Sequence, residues 1–247
     1  MDGTATFTIY GSLQDFLPPA KRAGPLPYSF AGAPAVKDAI EATGVPHPEV
    51  AVILVNSQSV GFYHALQAGD EVAVYPAAWE ALFPADYSVR FGHDLPDRFV
   101  LDVHLGKLVK ALRLLGFDSC YRNDYSDKAI AAIAEAENRI ALTRDVGLLK
   151  QKAIRWGYWL RSQHLEAQLE EVMSYFHLKE KLRPFTRCME CNGLIAAVPK
   201  ESVLGQLPLK TKEYFDEFYQ CTSCSRVYWK GSHYERMQAF VQRQLRR

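Results

Sequence analysis

Phe99-Val-Leu-Asp-Val-His-Leu-Gly-Lys-Leu-Val-Lys-Ala-Leu-Arg-Leu-Leu115 changes its hydrophobic period partway along. The opening Phe99-Val-Leu run fits a buried parallel strand, whereas Leu105, Leu108, Val109, Leu112 and Leu115 recur at helical spacing. The alternation continues downstream. Phe117 to Tyr121 reads as strand, Asp127 to Glu137 as helix and Arg139 to Thr143 as strand. Val146 to Lys152 is a short helical patch, Tyr158-Trp-Leu160 a strand and Leu165 to Phe176 an amphipathic helix. Alternating strands and helices imply a parallel sheet covered on both faces.

Upstream the pattern differs. Residues 4–10, Thr-Ala-Thr-Phe-Thr-Ile-Tyr, alternate polar and apolar as a half-buried strand does. A Pro/Gly-rich stretch from Leu17 to Pro27 leads to a second short strand around Tyr28-Ser-Phe30. Pro34 is expected to start a helix with Val36, Ala39 and Ile40 on one face. Buried strands follow at Ala51 to Val55 and Glu71 to Tyr75. This order resembles the ubiquitin-like β-grasp fold, and within it the sulfur-carrier subfamily of molybdopterin and thiamine synthesis. The resemblance is carried by Phe7-Thr-Ile-Tyr-Gly, Val52-Ile-Leu-Val-Asn and Ala68-Gly-Asp-Glu-Val-Ala-Val-Tyr-Pro. Carriers are activated at a free Gly-Gly end, whereas here Pro76-Ala-Ala-Trp79 runs on into more chain. A binding or positioning module, able to fold alone, is therefore expected, with a protein partner that the sequence does not name.

Downstream, Cys188-Met-Glu-Cys191 and Cys221-Thr-Ser-Cys224 are two CxxC pairs separated by 29 residues. A CxxC turn places two thiolates on one tetrahedral zinc, and two such turns fill its coordination, so a structural ion is expected. Asn192-Gly193 supplies the left-handed residue that such a turn needs. Cys120, on an apolar strand, reads as a buried, inert thiol. Five cysteines without a signal-peptide pattern in Met1-Asp-Gly-Thr4 favour metal binding over disulfides and a cytoplasmic location. The longest apolar run, Val50 to Val55, is far too short to span a bilayer.

The net charge of +1 conceals an asymmetry. Residues 1–90 carry 4 basic and 9 acidic side chains, residues 91–176 carry 12 of each, and residues 177–247 carry 13 basic and 7 acidic. A basic C-terminal end suits a polyanion such as RNA, or is an ordinary solvated surface. Tyr214, Phe215, Phe218, Tyr219, Tyr228, Trp229 and Tyr234 crowd the second cysteine pair. Most of them should fill the core of a small module, and one or two beside Lys230 could stack on unpaired bases.

Asp102 ends the first strand of the central segment, Asp127 opens its second helix and Asp145 follows its third strand. All three fall at the carboxyl ends of strands, where open parallel sheets gather functional groups. Each is also a suitable helix N-cap. If they converge, a hard divalent ion such as magnesium or manganese would relieve their repulsion. On a helical wheel Lys107, Lys110 and Arg113 form a basic arc roughly opposite the apolar one, either a phosphate-tracking stripe or a solvated face. Arg144 abuts Asp145 and could hold a phosphate or balance a charge, while His104 reads as a surface or packing histidine.

Val100-Leu-Asp-Val-His-Leu-Gly-Lys-Leu, Leu112-Arg-Leu-Leu-Gly-Phe-Asp, Ser126-Asp-Lys-Ala-Ile and Leu142-Thr-Arg-Asp closely resemble the PIN-like nuclease domain of the mut-seven C-terminal type. Pro184-Phe-Thr-Arg-Cys-Met-Glu-Cys-Asn-Gly and Phe218-Tyr-Gln-Cys-Thr-Ser-Cys-Ser-Arg-Val-Tyr-Trp-Lys-Gly-Ser-His look like the zinc ribbon that accompanies it. The expected architecture is α/β throughout. A ubiquitin-like β-grasp domain (residues 1–80) and a linker (81–97) precede a PIN-like parallel-sheet domain (98–180) and a four-cysteine zinc ribbon with a basic tail (181–247). The resemblance implies a metal-dependent ribonuclease with Asp102, Asp127 and Asp145 as the matching metal-binding acids. PIN nucleases often carry another acid just after the third. Val146-Gly-Leu-Leu-Lys150 has none, and Asp124 is the nearest substitute. In the implied mechanism magnesium or manganese acidifies a water that attacks phosphorus in line with the leaving oxygen. Lys107, Lys110, Arg113, Arg144 and Lys230 are the candidate RNA contacts. A homodimer is a candidate assembly, because PIN relatives often form one. The competing readings are a non-catalytic RNA-binding or adaptor protein on the same fold, and a sulfur-transfer accessory protein.

Overall fold

The computed structural model describes residues 2–246. Its contacts gather into two units: the stretch up to Pro96 with Ala131–Trp159, and Asp97–Ile130 with the stretch from Leu160 onward.

The N-terminal module is a mixed sheet on one helix. β1 (Asp2–Ile9) buries Ala5, Phe7 and Ile9 while the threonines between them face the other way, which is what period-2 alternation dictates. It is followed by β2 (Leu26–Ala31), α1 (Val36–Thr43), β3 (Val50–Val55), β4 (Gln58–Ser59) and β5 (Glu71–Pro76). The strand order is β2-β1-β5-β3-β4. β1 and β5 are parallel and the other neighbours antiparallel. Val36, Ala39 and Ile40 of α1 are fully buried against this sheet, as their spacing requires. The helix starts two residues later than Pro34 suggests. Its first N–H groups, on Val36 and Lys37, donate to the carbonyls of His64 and Phe62 at 2.8 and 3.1 Å, so the preceding chain does not have to cap it. Gly44, at φ 120°, ends it, and a Cβ there would lie 3.1 Å from the carbonyl oxygen of Phe16. Strand β4 gives little hydrophobic signal. It exists because Asn56 and Ser57 both take positive φ (49° and 67°) and close a two-residue hairpin.

The segment expected as a linker is partly strapped down. Val89 N donates to Ala51 O at 2.8 Å, Ser59 Oγ to Tyr87 O at 3.2 Å and Arg90 Nη2 to Pro48 O at 2.9 Å.

The central segment runs β6 (Phe99–Leu101), α2 (Gly106–Leu114), β7 (Ser119–Cys120), α3 (Asp127–Ala136), β8 (Ile140–Thr143), α4 (Val146–Leu149), β9 (Gly157–Trp159) and α5 (Leu165–Tyr175). The four strands form one sheet in the order β7-β6-β8-β9, with β7 parallel to β6 and β9 parallel to β8. The apolar residues that predicted α2 are all buried. The helix ends in a Schellman turn, with Phe117 N on Leu112 O and Gly116 N on Arg113 O, both at 3.0 Å. Gly116 has φ 96°, and a Cβ there would fall 2.1 Å from the carbonyl oxygen of Arg183, so only glycine fits.

Within the first unit, β9 and its approach are joined to the β-grasp module. The Glu49 carboxylate, 1% exposed, accepts from Trp159 N at 2.6 Å. Lys150 Nζ donates to Glu41 O at 2.9 Å, and Phe16 packs on Trp159 with ring centroids 5.1 Å apart.

The C-terminal segment contains β10 (Ile195–Val198), α6 (Lys200–Val203), α7 (Leu209–Tyr214), β11 (Phe218–Cys221), β12 (Val227–Trp229) and α8 (Ser232–Arg246). The strands form an antiparallel sheet in chain order, over a small core of Val203, Leu207 and Phe218. The basic tail expected after the ribbon is a 15-residue helix that buries Val241 and Gln244. Among the described residues no helix is long and apolar enough to cross a membrane.

Candidate functional site

The two CxxC turns are near-copies of one another. Asn192 N donates to Cys188 O at 2.9 Å and Cys188 N to Gly193 O at 2.8 Å. In the second turn Ser225 N donates to Cys221 O at 3.1 Å and Cys221 N to Arg226 O at 2.9 Å. Each turn closes through one left-handed residue, Asn192 (φ 71°) and Ser225 (φ 58°). The left-handed position expected around Asn192-Gly193 is thus the asparagine. Gly193 serves space instead: a Cβ there would lie 2.5 Å from Ser223 Oγ and 2.8 Å from Cys221 Sγ, so only a bare backbone lets the two turns close on each other.

The four sulfurs all lie within 4.8 Å of one another, with Cys188 and Cys224 at 3.7 Å and Cys191 and Cys221 at 3.4 Å. A tetrahedron with Zn–S bonds of about 2.3 Å has edges of about 3.8 Å, so the donor set fits that ion. Gly193 N and Ser223 N each point at a sulfur, at 3.4 Å, as N–H groups supporting a thiolate do. Burial raises the Cys188 thiol, but the Tyr228 hydroxyl 3.0 Å away and the turn's N–H groups outweigh it and bring the pKa to about 6. Burial pushes Cys191 the other way, up to about 12. Burial is likewise outweighed at Cys221, which is lowered by the N–H groups of Cys224 and Ser223. At Cys224 the Arg226 N–H favours the thiolate, yet the net direction is upward. One sulfur of each pair therefore tends to ionise and the other to keep its proton. Ionising all four sulfurs this close together requires a cation between them.

The first turn is pinned to α2. Arg113, expected on a basic outer stripe, is only 3% exposed. Its Nε and Nη2 donate to Ser119 O at 3.0 and 2.8 Å, and its Nη1 to Met189 O and Glu190 O at 3.1 and 2.8 Å. Asn192 completes the junction, accepting from Ser119 N at 3.0 Å and donating to Asp118 Oδ1 at 2.8 Å. Arg113 is thus removed from the RNA-binding set. A helical wheel read it as exposed because it could not see that another element covers that face. Lys107 remains exposed, and Lys110 is exposed but ion-paired to Glu190 at 3.0 Å. Lys230 is exposed and paired to Glu217 at 2.5 Å. Arg144 is exposed, its carbonyl taken by the Trp159 indole N–H at 3.2 Å. Of the aromatic group Phe218 is buried, while Tyr214 is 74% exposed. Cys120 is half-buried beside the Tyr125 hydroxyl at 3.4 Å, less enclosed than its apolar strand suggested.

The aspartates occupy the predicted positions in the chain. Asp102 directly follows β6 and is 7% exposed; it occupies the N-cap position of a short 3-10 turn without its side chain bonding that turn. Asp127 is the first residue of α3 and is exposed. The capping role falls to its neighbour, since Ser126 Oγ accepts from Ala129 N at 3.3 Å. Asp145 does cap: its Oδ1 accepts from Gly147 N at 2.7 Å, at the start of α4. Asp124 is held by Arg122 through two bonds of 3.0 and 2.8 Å. Among the described residues the four cysteines are the only group of three or more candidate ligands drawn within 4.8 Å.

A mixed sheet on one helix, a parallel α/β segment and a four-cysteine cluster thus follow one another along the chain. The Mut7-C RNAse domain model matches residues 97–241, and the Mut7-C ubiquitin model matches residues 3–81. The chain belongs to the Mut7-C RNAse domain family. No curated protein and no solved structure matches it.

Proposed function

We propose that the protein is a divalent-metal-dependent ribonuclease in which Asp102, Asp127 and Asp145 hold magnesium or manganese, with Asp124 as an auxiliary acid. Membership of a ribonuclease family supplies the substrate class. The observation that carries the site is positional: Asp102 directly follows β6, Asp127 opens α3 and Asp145 lies between β8 and α4. Open α/β sheets gather functional groups at the carboxyl ends of their strands. The ion, when bound, neutralises phosphate charge and acidifies water. Lys107, Lys110 and Arg144 hold the RNA backbone, and Lys230 extends that contact on the ribbon. Zinc on Cys188, Cys191, Cys221 and Cys224 is structural, because protein sulfurs fill its coordination.

Replacing Asp102, Asp127 or Asp145 by Asn tests the reading. RNA cleavage should fall by about a hundredfold or more, with folding nearly unchanged. At position 145 an Asn oxygen can still accept from Gly147 N, so the cap survives. Manganese should raise the melting temperature of the wild type more than that of each variant, since it binds the folded state through these acids. Asp145→Asn protein cleaving RNA at the wild-type rate would overturn the site. A non-catalytic RNA-binding adaptor would then be the better account, and two observations favour it: Asp145 already caps α4, and Asp124 is already held by Arg122.

A further inference from the structure

The N-terminal module is acidic overall, with 9 acidic side chains against 4 basic ones in residues 1–90. Two of those four cations, Lys37 and Arg90, nevertheless line one groove of about 820 Å³, and none of the nine acids does. Lys152 and Arg155, from the approach to β9 in the same unit, line it too. Glu135 is the single acid among the lining residues. A module with so few cations does not place half of them in one cleft, facing two more, merely to solvate its surface.

The floor is aromatic. Trp156, 5% exposed, has the guanidinium carbons of Arg90 and Arg155 at 5.8 and 5.6 Å from its ring centroid, within cation–π range. Tyr63 stands on the rim, 87% exposed. An exposed ring beside converging cations can stack on an unpaired base while the cations track the backbone. A folded duplex would not offer that base face.

We infer that this groove binds single-stranded RNA, with Lys37, Arg90, Lys152 and Arg155 on the phosphates and Tyr63 against a base. The ubiquitin-like module thereby acts as a substrate-holding element. The RNA class rests on the ribonuclease reading above, but the groove makes a binding claim that can fail separately.

The test uses full-length, zinc-replete protein and a fluorescent oligouridine, without added magnesium or manganese. Affinity is measured by anisotropy across a salt series. Arg155→Glu and Lys152→Glu should each weaken binding by about fivefold or more and flatten the salt dependence by about one counterion. Tyr63→Ala should weaken it by about fivefold with the salt slope unchanged. Lys21→Glu, an equal charge change at an exposed site outside the groove, should leave binding as it is. All three groove positions are exposed, so melting temperatures should hold. Unaltered affinity in both charge reversals would overturn the inference. So would tight binding of fluorescent polyglutamate that Arg155→Glu and Lys152→Glu abolish while oligouridine affinity stays unaltered, which would mark the groove as a site for acidic protein segments. If the wild type fails to cleave RNA while Arg155→Glu still loses affinity, the nuclease reading falls and the groove stands.

Discussion

Arg113 makes four hydrogen bonds to three main-chain carbonyls, one on β7 and two in the first cysteine turn. Burial pulls its pKa below the ordinary guanidinium value, while Cys120, Cys188 and Cys191 pull it back up. The guanidinium therefore stays charged beside a sulfur cluster that remains net negative even with zinc bound. Arg113→Met should cost about 3 kcal/mol, because three carbonyls lose a charged donor at once. Lys107→Met, on the exposed side of the same helix, should change stability by no more than about 0.5 kcal/mol. Urea unfolding of the zinc-loaded proteins measures both, and an Arg113→Met protein as stable as the wild type would refute this junction.

At the scale of elements, α1 is tied to the turn that follows it. Glu41, in its last turn, meets His47 Nδ1 at 2.5 Å. Burial raises the Glu41 pKa, but the hydrogen bond and charge of His47 outweigh it, and the net shift is downward from 4.5. A carboxylate with a depressed folded-state pKa stabilises the fold above its unfolded pKa, and that contribution is lost as pH falls through the folded value. Glu41→Gln should therefore be less stable than the wild type by about 1 kcal/mol at pH 7. The gap should close as pH drops below 4.5. Urea midpoints of the two proteins across pH 3 to 7 provide the check, and a gap that widens on acidification would show that the sign is wrong.

For the whole molecule, the four-cysteine cluster matters beyond the ribbon. Its first turn is bonded to Ser119 and Arg113, so organising the cysteines also fixes the C-terminal end of α2. Reduced protein should carry about one zinc per chain, and chelation or Cys221→Ser should melt the ribbon sheet, since metal binding there is folding energy. Hydrogen exchange should quicken across residues 187–229 and, more weakly, at residues 113–120. Metal-free protein with unchanged exchange over the ribbon would exclude a structural ion. The N-terminal module is likewise not self-contained: cutting after residue 80 would strip Glu49 of its Trp159 partner and Phe16 of its covering ring. The expectation that residues 1–80 fold alone therefore has a cost attached, an exposed apolar seam around a carboxylate that is otherwise buried.

The sequence by itself determined the α/β class, most of the element types and the cysteine quartet. Those features are local: a period of two or 3.6, a CxxC spacing and a run of buried apolar residues each leave their mark on neighbouring residues. It also placed Asp102, Asp127 and Asp145 at strand and helix ends. What it could not determine was which polar groups are covered by distant chain. Arg113 looked like a surface cation because two of its three carbonyl partners lie 76 and 77 residues away. Ser126 rather than Asp127 proved to be the cap, a choice made by a hydroxyl's reach to one N–H. The cationic groove likewise needed the tertiary fold, because Lys37, Arg90 and Arg155 share no period or motif. Their common face exists only once the strap at residues 85–90 and the approach to β9 have folded against the module, and long-range burial, not local propensity, decides that.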